Sequence, residues 1–234
     1  MVKIGGKPIL WHIMKTYAHY GFKDFVLCLG YKGDQIKEYL YNYRVLSNDF
    51  TVKIGKPEET IIYNSHPEED WSITLVDTGD KALKGARLKS IQNYIDSKQL
   101  MVTYGDGLAD VDINALLRFH NTHGKLATVT GVSPISRFGE LQVDGHYVKN
   151  FSEKSDKSSG LINGGFFVFD RRIFDYLSAD PSCDLEVGPL EALTEEGQLM
   201  VYRHEGFWAC MDTFRDMEYL NNLWEKGKAG WKVW

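Results

Sequence analysis

The sequence is short of cysteine, of proline and of positive charge. Cys28, Cys183 and Cys210 are the three cysteines in 234 residues. Their number is odd, their spacing is wide, and no CxxC or Cys/His pairing occurs, so neither a disulfide frame nor a zinc site is indicated. Free thiols of a cytoplasmic protein are the default reading. No apolar run is long enough to span a bilayer, and no signal peptide is recognisable. The 27 Lys and Arg are outnumbered by 32 Asp and Glu, for a net charge of −5. Nucleic-acid backbones and anionic membranes need clustered Lys and Arg, so neither is an expected partner. A small anionic substrate would be met by a few local cations. The GxSxG elbow, the GxxxxGK[ST] phosphate loop and the HExxH zinc spacing are all absent. His12 falls in a helical pattern and reads as a structural or interface residue. Tyr17, Tyr39 and Tyr43 read as helix-face core or interface residues.

What is present is the balance of an ordinary globular domain, 43% hydrophobic and 25% charged. The dominant rhythm is strand then helix, which implies an α/β fold with a mainly parallel sheet. Pro8 opens a helix on which Ile9, Leu10, Ile13, Met14 and Tyr17 recur at helical spacing, and Gly21 closes it. Phe25 to Gly30 is a continuous apolar run, the pattern of a strand covered on both faces. Residues 48–77 hold short β-branched runs (Phe50 to Ile54, Thr60 to Tyr63) and a polar loop, His66-Pro67-Glu68-Glu69-Asp70. They read as inserted strands and a protruding loop of the kind that carries binding or assembly contacts. Helices are expected over about 82–95, 113–120 and 214–226, and strands over 100–104, 127–132 and 166–169. Leu141-Gln142-Val143, Asp144-Gly145 and His146-Tyr147-Val148 give a hairpin signal. No linker or repeat divides the chain, so a single domain over residues 1–234 is expected.

The sharpest local feature is Thr103-Tyr104-Gly105-Asp106-Gly107, where an apolar strand ends in an acid bracketed by glycines. Ligands of open α/β sheets sit outside the carboxyl ends of strands, and glycine lets a backbone approach them closely. A carboxylate there suits Mg²⁺, which takes one or two carboxylates with phosphate oxygens and water. The same residues also make a plain strand-to-turn transition. Asp212 is a second acidic candidate. It precedes the last helix, where Thr213 is the more natural cap and leaves Asp212 for another role. Asp77-Thr78-Gly79-Asp80 followed by Lys84 and Arg87 places a turn and two cations by a helix, as a phosphate could use or as a solvated loop would show. Glu153-Lys154 and Asn163-Gly164-Gly165 supply groups that hold hydroxyl-rich ligands, or simply surface charge and a flexible turn.

In order along the chain, these pieces resemble the sugar-1-phosphate nucleotidyltransferases of the glucose-1-phosphate cytidylyltransferase type. The resemblance runs from Ile4-Gly5-Gly6-Lys7-Pro8-Ile9-Leu10-Trp11-His12 through Gly30-Tyr31-Lys32-Gly33, Leu75-Val76-Asp77-Thr78-Gly79-Asp80, Tyr104-Gly105-Asp106-Gly107 and Asn163-Gly164-Gly165. It ends on Met211-Asp212-Thr213 and Leu223-Trp224-Glu225-Lys226. Gly-Gly-Lys-Pro and Gly-Asp-Gly are shared by many sugar nucleotidyltransferases. The Trp11-His12 helix and the Leu75 to Asp80 run point to the cytidylyltransferase branch.

The resemblance implies a Rossmann-like fold of the nucleotide-diphospho-sugar transferase type with a small β insertion. It implies cytidylyl transfer from CTP to glucose 1-phosphate, Mg²⁺ as cofactor, and a homo-oligomer. Asp106 and Asp212 match the family's metal ligands. Thr78 and Arg87 match its nucleotide contacts, Arg87 among the catalytic groups. Tyr104, Gly105, Glu153, Lys154, Asn163 and Gly164 fall where the family holds the sugar phosphate. Three departures are visible. Glu153-Lys154-Ser155 stands where the family has Glu-Lys-Pro, and Gly85-Ala86-Arg87 stands where it has Gly-Gly-Arg. The third is that Met1 falls inside the family pattern, after its first strand, Gly-rich Thr-Arg loop and Pro-Lys-Pro, so an N-terminally incomplete domain is expected. Two alternatives stay open: another nucleotide and sugar-phosphate pair, or a shortened non-catalytic chain that binds sugar nucleotide or assembles with a partner.

Overall fold

The computed structural model describes residues 1–63, 69–133, 140–144, 147–152 and 160–234. The strands are β1 Lys3–Ile4, β2 Lys7–Pro8, β3 Asp24–Leu29, β4 Asp49–Thr51, β5 Ile61–Tyr63, β6 Ser72–Asp77, β7 Gln99–Thr103, β8 Gly107–Ala109, β9 Ala127–Val132, β10 Glu140–Asp144, β11 Tyr147–Ser152, β12 Ile162–Asp170, β13 Leu199–His204 and β14 Trp208–Cys210. The α-helices are α1 Ile9–His19, α2 Gly33–Tyr41, α3 Tyr43–Ser47, α4 Lys84–Ser90, α5 Ile113–His123, α6 Glu191–Glu195 and α7 Phe214–Glu225.

The central sheet has the order β13-β9-β12-β7. β13 runs parallel to β9, while β12 is antiparallel to both β9 and β7. Three of the four strands therefore share one direction. Alternation along β12 builds the core, because successive side chains leave a strand on opposite faces. Phe166 and Val168 enter one cluster with Ile9, Ile13, Tyr17, Leu116 and Leu220. Phe167 and Phe169 enter another with Leu88, Ile91, Ile173 and Leu193. Phe167 and Phe169 are fully buried, each stabilising the fold by roughly 1.5–3 kcal/mol through removal from water.

β3 and β6 form a separate parallel pair. Phe25 packs against one core cluster and Val26 and Cys28 against the other, so both faces of β3 meet the core as the apolar run predicts, but residues 25–28 are only half-buried. The reason is topological: among the described residues, β6 is the one strand laddered to β3, so β3 keeps an open edge. Residues 48–77 also divide differently from the expectation. β4 and β5 form a short exposed antiparallel hairpin, but β6 belongs with β3. The inserted hairpin thus ends before Ser72. His66, Pro67 and Glu68 of the expected loop lie outside the described residues. The helix expected over about 82–95 is shorter, with α4 ending at Ser90 and a 3₁₀ turn at Gln92–Tyr94.

Candidate active site

The site is built by two pairings that sequence distance conceals. The first is the antiparallel course of β12. Its register sets Phe166 opposite Thr103, so the start of β12 lies beside the carboxyl end of β7. A parallel strand would carry Asn163 and Gly164 to the other end of the sheet. The Tyr104 amide donates to the Gly165 carbonyl at 3.1 Å and continues this register past the strand. Gly165 has φ +77, and a Cβ there would come within 2.8 Å of the Tyr104 ring. Glycine is therefore required for the close approach and for the backbone conformation.

The second pairing joins the two acids. β8 and β14 are antiparallel, with Gly107 opposite Cys210, and the Met211 amide donates to the Asp106 carbonyl at 2.8 Å. Asp106 and Asp212 thereby line one cavity of about 200 Å³, together with Tyr104, Asn163, Gly164 and Trp208. Burial pushes the Asp106 carboxyl above its usual range, and the neighbouring Asp212 charge adds to the shift. The Cys210 thiol donates to Asp212 Oδ2 at 3.0 Å. Thr213 caps α7 in a reciprocal box with Asp216, which frees Asp212 from that duty as the sequence predicts.

Tyr104 and Asn163 of the cavity wall are backed by a polar network. Tyr104 Oη donates to Glu186 Oε1 in a short hydrogen bond and accepts from Asn163 Nδ2 at 3.1 Å. Burial, then the Glu186 bond, pushes the Tyr104 phenol up, so it stays protonated and serves as a donor. Lys84 Nζ lies 2.6 Å from Glu186 Oε1 and 5.1 Å from the centre of the Tyr104 ring. Lys84 is placed by the docking of α4 on the segment before Glu186, where the Ala86 amide donates to the Cys183 carbonyl. A Cβ at Gly85 would come within 2.6 Å of the Asp184 carbonyl oxygen, so glycine permits this docking. Glu186 Oε2 is buried without a hydrogen-bond partner among the described residues, and Glu186 stands behind Tyr104 and does not line the cavity. Trp208 Nε1 donates to the Gly164 carbonyl at 2.9 Å and holds that backbone in place.

Of the residues expected at the site, Tyr104, Asp106, Asn163, Gly164 and Asp212 share this cavity. Gly105 lies between two of them in the chain. Thr78 and Arg87 form a separate group at the ends of β3 and β6. Arg87 Nη1 donates to Thr78 Oγ1 at 2.8 Å and to the Leu29 carbonyl at 3.1 Å, and Nη2 donates to the Asp80 carbonyl at 3.3 Å. The Arg87 guanidinium thus clamps backbone, and neither residue lines the cavity of the two acids. Glu153 and Lys154 lie outside the described residues. Sequence reasoning missed Glu186 and Trp208 as site residues. Trp208 lies in the stretch leading to Asp212, but Glu186 belongs to no recognisable motif. Among the described residues, no cluster of three or more His, Cys, Asp and Glu could hold a metal ion. Two carboxylates with phosphate oxygens and water are nonetheless a fitting set for Mg²⁺. The like-charge strain on Asp106 is of the kind a dication relieves.

A mixed α/β sheet, three of its four strands sharing one direction, with paired acids and a glycine-lined backbone at a strand's carboxyl end, suits a transferase that handles a phosphate-bearing nucleotide. The model of the "Nucleotidyl transferase" family matches residues 1–226. Two relatives called glucose-1-phosphate cytidylyltransferase, from Salmonella typhi and Salmonella typhimurium, are each 48% identical over the whole chain and 90% of their own length. The chain belongs to the nucleotidyl transferase family, in the branch of the glucose-1-phosphate cytidylyltransferases. Among solved structures, HddC from Yersinia pseudotuberculosis complexed with GMP-PN shares the fold, with a TM-score of 0.68 at 19% identity over 96% of this chain and 88% of that one. No helix among the described residues is long and apolar enough to cross a membrane.

Proposed function

We propose that the chain transfers a cytidylyl group from CTP to glucose 1-phosphate, giving CDP-glucose and pyrophosphate. A phosphate oxygen of glucose 1-phosphate forms a bond to the α-phosphorus of CTP. The bond from that phosphorus to the bridging oxygen of the β-phosphate breaks, and pyrophosphate leaves with the electron pair. The single observation that carries the reading is the convergence of Asp106 and Asp212 in one cavity beside Tyr104 and Asn163. The 48% identity to enzymes of that name supports the choice of substrates.

Asp106 and Asp212 would hold Mg²⁺, which supplies charge neutralisation and orientation of the phosphates. The protein's own part is positioning and electrostatics. Lys84 offers its ammonium to the sugar phosphate. Asn163 and Tyr104 meet sugar hydroxyls, with the Gly105 and Gly164 backbone alongside, and Glu186 holds the Tyr104 hydroxyl in place. Glu153 and Lys154 are assigned to the same ligand. Thr78 and Arg87 form a nucleotide-side wall, and Arg87 acts by fixing the loop after β6. The reaction is placed in the cytoplasm, where free thiols at Cys28, Cys183 and Cys210 persist, and the working form is a homo-oligomer.

The test is pyrophosphate release from purified protein with glucose 1-phosphate, Mg²⁺ and each of CTP, UTP and dTTP. Turnover with CTP in preference to the others is expected. Preference for UTP or dTTP, or silence with all three, would overturn the assignment.

A further inference from the structure

The two acids and Asn163 stand on different sheets. Asp106 and Asp212 flank the β8–β14 pair, while Asn163 belongs to β12 of the central sheet. Trp208 spans the gap. It sits on β14 opposite Ala109, lines the cavity of the two acids, and donates from Nε1 to the Gly164 carbonyl at 2.9 Å. The turn that leads to it is pinned twice at Phe207. The Phe207 carbonyl accepts from His204 Nε2 at 3.1 Å and from the Asp110 amide at 3.2 Å. The indole therefore reaches β12 from a fixed base.

The bond falls where β12 leaves its ladder. The register of β12 on β9 jumps from Asn163 opposite Gly131 to Phe167 opposite Val129. Gly164, Gly165 and Phe166 thus stand against Thr130 alone, a bulge with two extra residues. Residues of a bulge lose their ladder partners, and bulges beside active sites aim particular side chains. Asn163 is the last regular residue before this bulge. Its Nδ2 donates to Tyr104 Oη at 3.1 Å, and its Oδ1 accepts from the Gly165 amide at 2.8 Å. The acids have firmer support, because three ladder positions and the Met211–Asp106 bond hold β8 to β14 through backbone alone. Loss of the Trp208 N–H would therefore release the bulge and leave the acids in place.

We propose that Trp208 is a positioning residue for the sugar-phosphate half of the site. Its indole N–H holds the β12 bulge so that Asn163 and Tyr104 meet the ligand hydroxyls. The inference rests on the cytidylyl-transfer reading. Its test is KM for each substrate, from pyrophosphate release, in wild type, W208F, N163A and N163A/W208F. W208F keeps an aromatic ring on the core cluster of Leu108 and Phe166 and removes the N–H. KM for glucose 1-phosphate should rise by about fivefold or more, the scale of one neutral hydrogen bond. KM for CTP and kcat should move by less than about twofold. In the N163A background the further rise should fall below about twofold, because the indole acts through Asn163. Should W208F fail to fold, Trp208→β-(3-benzothienyl)alanine decides, since it keeps the bicyclic ring and puts sulfur in place of the N–H. An unchanged KM for glucose 1-phosphate, equal rises for both substrates, or the same rise in the N163A background would each overturn the proposal. Silence of the wild-type protein would instead overturn the transfer reading, and this inference with it.

Discussion

His12 offers a quantitative test of how the carboxyl-terminal tail holds the site. The imidazole is fully buried and ringed by Trp11, Trp224, Trp231 and Trp234. Trp231 Nε1 donates to His12 Nδ1 at 3.4 Å, so Nδ1 is an acceptor and Nε2 donates to the Ile4 carbonyl at 2.8 Å. A proton on Nδ1 would face an N–H. Burial pushes the imidazole down from 6.5 to about 4, against the smaller opposing pull of Ile4. Unfolded chain takes up this proton near pH 6.5, folded chain only near pH 4. Between these values the unfolded state binds more protons, so stability falls as pH falls. At about 1.4 kcal/mol per unit, the difference amounts to on the order of 3 kcal/mol. α1 packs against β8, next to Asp106, so the loss reaches the site. Urea unfolding of wild type and His12→Gln should be compared from about pH 7 to about pH 4.5. The wild-type advantage should be largest at the upper end and shrink by on the order of 2–3 kcal/mol on acidification. An advantage that stays constant across that range would refute the buried neutral imidazole.

Asp106→Asn and Asp212→Asn should each lower kcat by about 100-fold or more, the scale of a lost charge-stabilising group, with circular dichroism unchanged; full turnover in pyrophosphate release would refute their role. Glu186→Gln loosens the hold on Tyr104 and Lys84 and should raise KM for glucose 1-phosphate by about tenfold while leaving KM for CTP nearly unmoved, so equal effects on both substrates would count against this positioning role. Gly165→Ala should cost about 1–3 kcal/mol from the strained backbone, visible in denaturant melts, and weaken sugar-phosphate binding as Tyr104 is displaced. Thr213→Ala removes the cap of α7 and should cost about 1 kcal/mol, a fall in Tm of roughly 2–4 °C for a chain this long.

The strand–helix rhythm was legible because each element carries its own periodicity. β9 lies at the expected 127–132, and α5 starts at Ile113 under the cap of Asp112. Asp106 stood out because a strand ending in an acid between glycines is a local pattern. Less was legible between Arg171 and Cys210, where β13 and β14 carry no strong alternation and take their place from β9 and β8. Arg87 shows the limit of motif reasoning. Its position beside a turn was readable, but not that three backbone and side-chain oxygens at Leu29, Thr78 and Asp80 would occupy it.

The sequence by itself determined the α/β class, the acid at the end of β7 and the freedom of Asp212 from capping, since propensity, spacing and caps act over a few residues. Only the tertiary structure decided that β12 runs antiparallel and delivers Asn163 to Tyr104, and that β8 and β14 bring Asp106 and Asp212 into one cavity. It alone paired Glu186 with Lys84 behind Tyr104. Those outcomes depend on strand direction and register across more than fifty residues of chain, and no local pattern encodes them.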